Sequence, residues 1–309
     1  MNMKKNTLVE FINNPRELLP ALLIKTSWMF RNDEQYLKLL YRLSVGHKLN
    51  LEKPETYCEK LQWLKLYNKH DVYTRMVDKV TVKDWVSEKI GSEYIIPTIA
   101  VYNNTDEIDF EKLPNQFVLK CNHNSKVGLC ICKDKFSFNI QRAIKELKRG
   151  LSENHYMKTR EWPYKNVPRR ILAEKYMEEE GASFLHDYKV MCFNGEAKLI
   201  EYHAGRFSGG HTQDFYDTKW NKTTITQGHN GSPCDYIEKK PALLEEMIRL
   251  SEVLSADIPH VRVDWYIVKE HLYFGEMTFF DSAGFMPMDK KSDELLLGSW
   301  IKLPTMLKK

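Results

Sequence analysis

Residues 261 to 280, VRVDWYIVKEHLYFGEMTFF, constrain the fold of this 309-residue chain more than any other stretch. Two runs of alternating apolar and polar residues, the period of a strand with one buried face, flank a short charged segment. With residues 269 to 271 as the turn, apolar residues oppose apolar residues throughout, and such matching sets the register when one face is buried. The predicted cross-strand pairs are Val263 with Met277, Trp265 with Gly275 and Ile267 with Tyr273.

The same register places two acids, Asp264 and Glu276, directly opposite each other on one face. Two carboxylates about 5 Å apart repel by roughly 3 kcal/mol at an effective dielectric near 20. Two interpretations stay open. Arg262 neutralises the pair in a surface network, or the acids are oxygen ligands for Mg²⁺, which binds one or two carboxylates plus substrate phosphates. Removing one carboxylate would relieve the repulsion and slightly raise the stability of the metal-free protein.

Composition excludes several classes of protein. The apolar content of 42% with 12% aromatics is typical of a globular chain, and the length suits two or three domains. The formal charge of +4, without a long basic run, indicates anionic ligands but no nucleic-acid partner. The N-terminal segment lacks the apolar core of a signal peptide, and LLPALLI is too short to span a bilayer. The six cysteines are expected to be reduced thiols in the cytoplasm, with Cys130 and Cys132 in a strand.

The hydrophobic periods divide the chain into regions. Helical periods occupy residues 1 to about 75, and a further helix, DKVTVKDWVSEKIG, is closed by Gly91. Residues 138 to 151 and PALLEEMIRLSEVLSA also predict helices, whereas residues 205 to 235 have no period and predict a long functional loop region. We therefore expect a helical region at 1–75 and two further regions at 76–180 and 181–309. Strands are predicted in EYIIPTIAVY, QFVLKCN, VGLCICK, RRILAEKYM and, as a hairpin turned at Asn194-Gly195, DYKVMCFNGEAKLIEYHAG.

The first helices allow two interpretations. Large apolar residues flanked by basic residues could lie on a membrane surface, or they could pack into the core. Core packing explains the pattern more simply, and we expect it. The residues concerned are Leu18, Leu19, Leu22, Leu23, Trp28 and Phe30.

Several charged residues occupy strands or strand ends. Lys120 ends the strand in FVLKCNH and enters a polar loop, where a lysine and loop N–H groups can hold phosphate oxygens, although the GxxxxGK[ST] pattern is absent. Glu174 in ILAEKYMEEE, and Asp187 with Lys189 in DYKV, would each be ordinary strand residues if taken alone. Their order distinguishes them: a lysine strand, a polar loop, a strand with glutamate, a D-x-K strand, and a hairpin with R-x-D and G-E.

That order resembles the ATP-grasp superfamily, and within it the TupA-like family associated with teichuronopeptide synthesis in bacterial surface-polysaccharide gene clusters. The resemblance covers about residues 35 to 304. It implies an α+β fold in which two α+β subdomains clamp ATP: a lid at 76–180 and a subdomain with the metal site at 181–309, preceded by the helical region. The motifs that carry it, in order, are PETYCEKLQWLK, DKVTVKDWV, FVLKCNHNS, ILAEKYM, DYKVMCFNG, RVDWYIV, GEMTFFDSAGF and LGSWIKLP.

The resemblance also implies roles for individual residues, with ATP and Mg²⁺ as cofactors. The residues implied to contact ATP phosphates are Lys83 or its neighbour Lys79, Lys120, and the loop of Asn122, His123, Asn124 and Ser125. Those implied to bind adenine are Glu174, at the amino group, and the backbone of Lys175, Tyr176 and Met177. Those implied to face the γ-phosphate and an acyl phosphate are Lys189 and Arg262, with Asp264 and Glu276 holding Mg²⁺. The loop with His203, Arg206 and His211 is a candidate site for an anionic substrate, together with Ser282 and Gly284, and a mobile surface connection is an equally open interpretation of that loop. Three positions depart from the family's pattern of Gly, Asn and Pro: Lys126, Thr278 and Asp281.

The implied chemistry is ligation of a carboxylate to an amine. The carboxylate would attack the γ-phosphate to give an acyl phosphate and ADP, and the amine would then form an amide. We expect a glycan uronic acid or a peptide carboxylate as the acid, an amino acid or amino alcohol as the amine, and peripheral membrane association if the substrate is lipid-linked. A kinase with the same ATP site is the nearest alternative. A glycosyltransferase usually needs a D-x-D motif, which the chain lacks, and a silent binding module should have lost the metal ligands, which are present.

Overall fold

A computed structural model describes residues 15–125, 127–178, 185–204, 211–228, 233–234 and 236–305 of the chain. Within these residues, helices come first, a four-stranded sheet with its helices follows, and a five-stranded sheet completes the fold. This is the α+β class with a helical N-terminal region that the sequence predicts.

From residue 15 onward, where the described chain begins, five α-helices precede the first strand: α1 (Pro15–Lys25), α2 (Asp33–Val45), α3 (Tyr57–Tyr67), α4 (Asp71–Val77) and α5 (Thr81–Ile90). Side-chain caps explain where two of them begin. The Asn32 side chain accepts a hydrogen bond from the Gln35 N–H at α2, and Thr56 and Glu59 form a capping box at α3. Gly91 ends α5 as predicted, with a φ of +113° that disfavours residues with a side chain.

The first sheet has the strand order β1-β4-β2-β3, with antiparallel neighbours throughout. Its strands are β1 (Thr98–Tyr102), β2 (Phe117–Cys121), β3 (Leu129–Cys132) and β4 (Ile171–Lys175), and the helices between β3 and β4 are α6 (Ile140–Ser152) and α7 (His155–Thr159). Phe117, Leu119 and Leu147 are fully buried between this sheet and α6 in a core of their own. On the other face, Leu129 and Ile131 are 42% and 41% exposed.

The second sheet has the order β7-β6-β5-β8-β9. Its strands are β5 (Asp187–Phe193), β6 (Glu196–Ala204), β7 (Thr212–Tyr216), β8 (His260–Val268) and β9 (His271–Thr278), and the helices nearby are α8 (Leu244–Leu254) and α9 (Lys291–Trp300). The N-terminal helices and this sheet share one core, in which Tyr36, Leu61, Val190 and Trp265 are fully buried. This core contains residues of all three predicted regions, and the division of the chain at 75 and 180 stays a prediction.

Strand β7 lies inside the segment 205 to 235, for which the sequence predicts only loop. β7 pairs with β6 from Thr212 to Tyr216, and the Tyr216 ring stacks on Trp220 with 4.2 Å between centroids. Strand pairing and aromatic burial outweigh the missing period, so the loop prediction is wrong for β7. Residues 205–210, 229–232 and 235 lie outside the described residues.

Both predicted hairpins are present. Asn194 and Gly195 turn the first one, with φ values of +52° and +83°, as the Asn-Gly signal predicts. The second turns at Lys269 and Glu270, which have φ values of +51° and +60° although neither is glycine. This two-residue turn is shorter by one than the predicted turn, because His271 already belongs to β9.

The register of the β8–β9 hairpin follows the prediction up to one point. Asp264 pairs with Glu276 as predicted. A bulge follows, and Trp265 then pairs with Phe274, not with Gly275. The register prediction is therefore wrong beyond Asp264, since the extra residue of a bulge cannot be inferred from alternation alone.

The sequence predicts that the large apolar residues of helix α1 and the turn after it pack into the core, and only some of them do. Leu23 is buried, and Leu18 and Phe30 are half-buried. The core prediction is wrong for three residues whose side chains face solvent: Leu19 at 53% exposure, Leu22 at 48% and Trp28 at 71%. None of the helices within the described residues has the length and apolar character needed to cross a bilayer.

Candidate active site

A cavity of about 310 Å³ lies between the two sheets, a volume typical of a small-molecule site. Strands β2, β3 and β4 contribute one wall, and β5, β8 and β9 contribute the other. Most of the residues that the sequence singled out for nucleotide and metal binding meet here. The predicted residues that line it are Lys79, Lys120, Asn124, Ser125, Glu174, Lys175, Tyr176, Met177, Lys189, Asp264 and Glu276.

The wall formed by the first sheet is apolar over much of its area. Val118, Leu129 and Ile131 line the cavity, as does the segment from Lys175, the last residue of β4, to Met177. Leu129 and Ile131 remain more than two-fifths exposed. A flat aromatic ligand, such as a nucleobase, would remove this apolar surface from water.

Glu174 forms the ionic centre of this wall. Its buried carboxylate lies 2.6 Å from Lys83 Nζ and 2.5 Å from Lys120 Nζ. Burial by itself would raise the pKa of Glu174, but the two ammonium groups lower it overall. Burial lowers the pKa of Lys83, which lines a small adjoining cavity. Of the two lysines that the sequence offered as alternatives, Lys79 is the one that lines the main cavity.

Lys79 connects the first sheet's loop to the second sheet. Its Nζ donates to the Asn124 carbonyl at 3.1 Å and lies 3.2 Å from Glu276 Oε2. Burial by itself would raise the pKa of Glu276, but Lys79, Lys189 and Arg262 lower it to about 2. Glu276 is therefore an ionised oxygen donor at neutral pH.

The loop after β2 divides into a buried part and a part that faces the cavity. Asn122 is fully buried, where its side chain donates to Asp78 at 2.7 Å and to a backbone carbonyl at 2.8 Å. His123 is also buried and lies 3.2 Å from the Glu153 carbonyl. Asn124 and Ser125 line the cavity. Asn122 and His123 thus support the loop from beneath, and Lys126 lies outside the described residues.

Asp264 is buried and held by two cations. Lys189 Nζ donates to Oδ2 at 2.7 Å, while Arg262 donates from Nε to Oδ1 at 2.8 Å and from Nη2 to Oδ2 at 3.0 Å. Together with Lys79 at Glu276, these cations offset the repulsion between the facing acids. The surface-network interpretation is wrong about the location, because both Arg262 and Asp264 are buried.

Arg262 contacts two further carboxylates. Its Nη1 lies 3.3 Å from Glu201 Oε2 and also donates to Asp281. Burial by itself would lower the pKa of Arg262, but the three acids raise it overall. Burial and the neighbouring Glu201 raise the pKa of Asp281. Asp281, which stands where the family pattern has proline, therefore anchors the following loop to the arginine.

The two predicted substrate histidines lie together beside Glu201. His203 Nδ1 is 2.8 Å from His211 Nε2, and His203 Nε2 is 2.5 Å from Glu201 Oε1. Gln213 donates to the same Glu201 oxygen at 2.7 Å. A continuous line of polar contacts thus extends from Arg262 to residues that do not line the cavity. Arg206, predicted for the same site, lies outside the described residues.

The turn at residues 282–284 has a left-handed backbone, including two residues that are not glycine. Ser282 and Ala283 have φ values of +46° and +52°. Gln62 Nε2 donates to the Ala283 and Gly284 carbonyls at 3.1 and 2.6 Å, and Lys65 Nζ donates to the Ala283 carbonyl at 2.6 Å. Strained backbone of this kind persists when the surrounding structure holds it, and it clusters at functional sites. The predicted residues Ser282 and Gly284 therefore belong to a turn that α3 supports.

Sequence reasoning missed Glu201, Gln62 and Lys65. Glu201 lies two positions before His203 on β6, so alternation alone places both on one face and offered a signal. Gln62 and Lys65 lie one turn apart on α3, and a lysine in LQWLKLY usually indicates the solvent side of a helix. Here Lys65 is 1% exposed, and burial lowers its pKa to about 7.

The donor set at the hairpin fits Mg²⁺. Asp264 and Glu276 face each other across β8 and β9, and both line the cavity. Within the described part of the chain, no three His, Cys, Asp or Glu side chains could hold a metal ion on their own. A pair of carboxylates matches an ion that takes its other ligands from phosphates and water.

Two antiparallel sheets that enclose a cavity, with cations from both walls lining it, are the arrangement that the resemblance to the ATP-grasp superfamily implies. The model of one family in this superfamily, described as TupA-like ATP-grasp, matches residues 59–302. The chain therefore belongs to the TupA-like ATP-grasp family, which confirms the resemblance inferred from the motifs. No curated protein matches the sequence.

Solved structures of ATP-grasp ligases resemble this chain distantly. A D-alanine–D-alanine ligase from Bacillus anthracis, complexed with ATP, is 14% identical, with 66% of this chain and 54% of that chain covered and a TM-score of 0.39. The ligase of the same name from Helicobacter pylori is 12% identical, with 79% and 68% covered and a TM-score of 0.44. An ADP complex of N5-carboxyaminoimidazole ribonucleotide synthetase is 12% identical, with 80% and 56% covered and a TM-score of 0.44. The chain thus spans little more than half of two of these three proteins, and the family assignment rests on the family model.

Proposed function

We propose that the protein is an ATP-dependent carboxylate–amine ligase, which forms an amide through an acyl phosphate and releases ADP. One observation supports this proposal most strongly. Lys79, Lys120 and Lys189 converge on the cavity in which Asp264 and Glu276 face each other. Three cations beside two metal-type carboxylates suit a polyphosphate with a divalent ion. The membership in the ATP-grasp family agrees with this chemistry.

The apolar wall would hold the adenine base. Glu174 would accept a hydrogen bond from the adenine amino group, and the backbone of Lys175, Tyr176 and Met177 would run along the base edge. Lys120 would move its ammonium group from Glu174, 2.5 Å away, toward the phosphates. The N–H groups of the loop at Asn124 and Ser125 would close over the same phosphates.

The second sheet would carry out the transfer. Mg²⁺ bound by Asp264 and Glu276 would neutralise negative charge on the phosphates. Lys189 and Arg262 are buried next to Asp264, and they would orient the γ-phosphate and the acyl phosphate. A carboxylate oxygen attacks the γ-phosphorus as the bond to ADP breaks. The neutral amine nitrogen then attacks the acyl carbon, and the C–O bond to the phosphate breaks with its electron pair on the departing inorganic phosphate. The proton that the nitrogen loses ends on that phosphate.

The polar line beyond Arg262 would bind the acceptor. His203, Arg206 and His211, with the turn at Ser282 and Gly284, would form this subsite, and a glycan uronic acid or a peptide carboxylate is the acid that we propose. The amine would be an amino acid or an amino alcohol. We place the reaction in the cytoplasm, on a surface-polysaccharide precursor that is lipid-linked or soluble.

Nucleotide-induced stabilisation tests the ATP site. Ligand at a hundred times its dissociation constant stabilises a protein by about 2.7 kcal/mol. Mg-ATP should therefore raise the melting temperature by several degrees, and UDP-sugars should not. Lys120→Ala should remove most of this shift, whereas Lys112→Ala, at a lysine that is 85% exposed, should retain it. A larger shift with UDP-sugars than with Mg-ATP would favour a glycosyltransferase and contradict the proposal.

Trapping with hydroxylamine tests the chemistry. Hydroxylamine converts an acyl phosphate to a hydroxamate, whereas a phosphate ester does not react with it. The enzyme with Mg-ATP and uronic-acid glycans should yield a hydroxamate that is detectable by mass. Replacing Lys189 with methionine should lower the yield more than the affinity for ATP. A phosphorylated acceptor that is stable to hydroxylamine would identify a kinase and refute the ligase proposal.

A further inference from the structure

An exposed apolar patch occupies the start of the described chain. We define the N-terminal apolar patch as Leu19 and Leu22 of α1 together with Trp28 and Met29 of the following turn. These side chains are 53%, 48%, 71% and 62% exposed. Leu19 and Leu22 lie three residues apart, on one side of the helix, and backbone hydrogen bonds join α1 to the turn at Thr26. Four large apolar side chains exposed within eleven positions indicate an interaction surface.

Arg160 holds the patch in its exposed arrangement. Its guanidinium is almost fully buried, and Nη2 donates to the Ser27 carbonyl at 2.9 Å and to the Phe30 carbonyl at 3.0 Å. These two carbonyls bracket Trp28 and Met29. A buried cation thus fixes the backbone on both sides of the two most exposed members of the patch. The outward direction of these side chains is built into the fold.

The charge around the patch is positive. Residues 18 to 32 contain Lys25 and Arg31, both exposed, and no acid. The next two acids along the chain are already paired: Asp33 lies 3.0 Å from Arg160 Nε, and Glu34 lies 2.6 Å from Lys38 Nζ. Neither Lys25 nor Arg31 forms an ion pair with a described acid, so the patch combines apolar side chains with two exposed cations.

We propose that the N-terminal apolar patch docks on an anionic lipid surface. Trp28 and Met29, with the two leucines of the patch, would enter the boundary between headgroups and acyl chains, where tryptophan is favoured. Lys25 and Arg31 would contact lipid phosphates. Helix α1 has 11 residues and a length of roughly 16 Å, so it would lie along the surface rather than span the bilayer. This surface lies outside the nucleotide cavity, and the proposal does not depend on the ligase chemistry.

Vesicle co-sedimentation of the full chain tests the docking. The protein should bind vesicles of phosphatidylcholine with 30% phosphatidylglycerol, and bind pure phosphatidylcholine vesicles weakly. The double variant Trp28→Ala/Met29→Ala should lose at least about tenfold in partitioning on both, because it removes the inserted apolar area. In Lys25→Gln/Arg31→Gln, partitioning onto the anionic vesicles should fall roughly fivefold per charge removed, and partitioning onto pure phosphatidylcholine should not change. Added salt should weaken the binding of the wild type to anionic vesicles in the same way.

A matched control and a second readout distinguish docking from misfolding. Phe136→Ala removes an aromatic side chain that is 99% exposed elsewhere on the surface, and it should bind vesicles like the wild type. Melting temperature and the Mg-ATP shift should be unchanged in all three variants. Brominated lipids should quench tryptophan fluorescence in the wild type and much less in Trp28→Ala.

Three results would overturn the proposal. The wild type could fail to sediment with the anionic vesicles. Trp28→Ala/Met29→Ala could bind the vesicles as well as the wild type. Sedimentation velocity could show a concentration-dependent dimer that the double variant abolishes, which would assign the patch to contact between two copies of the chain.

Discussion

The two facing acids should respond differently to loss of their charge. Asp264 is 3% exposed and paired with Lys189 and Arg262, whereas the Glu276 side chain is 36% exposed and paired with Lys79. Removing one partner of a buried ion pair costs about 3 to 5 kcal/mol, because the remaining charge is left uncompensated. An exposed pair contributes about 0 to 1 kcal/mol. Asp264→Asn should therefore destabilise the metal-free protein by about 3 kcal/mol, and Glu276→Gln should destabilise it by less, because solvent screens its partly exposed pair with Lys79.

Urea unfolding without metal or nucleotide measures this difference. In thermal scans Asp264→Asn should melt about 6 °C below the wild type, at roughly 2 °C per kcal/mol for a chain of this size. Asp106→Asn is a matched control, because its carboxylate is 85% exposed and 3.8 Å from Lys148. It should change the melting temperature by less than about 1 °C.

The sequence alone leads to the opposite expectation, that relief of repulsion stabilises the protein. If Asp264→Asn unfolds at the same urea concentration as the wild type, or at a higher one, the cations around Asp264 do not offset the repulsion and our reasoning is refuted. Loss of the Mg²⁺-dependent part of the ATP shift in both variants would follow from the proposed metal site. That result is independent of which variant is less stable.

Three further substitutions test the turn after β9, the buried lysine and the bulge. Burial lowers the pKa of Lys65 to about 7, so above that pH the unfolded state binds more protons than the folded state, and stability rises with pH. Between pH 7 and pH 9, urea titrations should show that the free energy of unfolding of the wild type rises by on the order of 2 kcal/mol relative to that of Lys65→Met. Gly284→Ala should cost about 2 kcal/mol, because a Cβ there would lie 2.6 Å from Gln62 Nε2 on backbone with a φ of +62°. Gly275→Ala should lower the free energy of unfolding by about 1 kcal/mol and weaken the Mg-ATP shift in melting temperature, because its Cβ would lie 3.1 Å from a backbone oxygen in the cavity wall. Gly46→Ala is the control: a Cβ there meets nothing within 4 Å, and the Mg-ATP shift should be unchanged. A Lys65→Met curve parallel to that of the wild type, or unaltered stability of Gly284→Ala or Gly275→Ala, would contradict the packing described.

The hairpin shows how far the sequence predicts this site and where it stops. Alternation places Asp264 opposite Glu276 correctly, because each run has one apolar face that must be buried. It does not reveal the bulge, since one extra residue changes the pairing without changing the composition of either run. It also cannot show that Lys189 reaches Asp264, because that contact depends on β5 pairing with β8.

The other differences have the same origin in tertiary structure. Strand β7 has no period of its own and becomes a strand because β6 offers it a partner. Lys65 occupies a position that periodicity assigns to a helix surface, yet α3 is covered on that side by the turn at 281–284. Trp28 is apolar and exposed, because Arg160, 132 positions later in the chain, holds the backbone around it. Local patterns predict elements, whereas these residues depend on which elements meet.

The hydrogen bonds from α3 to the turn after β9 limit how this protein can be divided into interchangeable modules. Gln62 and Lys65 belong to the helical layer, yet the carbonyls that they hold belong to the turn next to Arg262. A chimera in which foreign helices replace only α1 to α4 would keep every cavity residue from Lys79 to Glu276. It would still lose the donors that stabilise the left-handed turn. Recombination that exchanges acceptor specificity between such proteins should therefore succeed only when α3 and the turn are exchanged together.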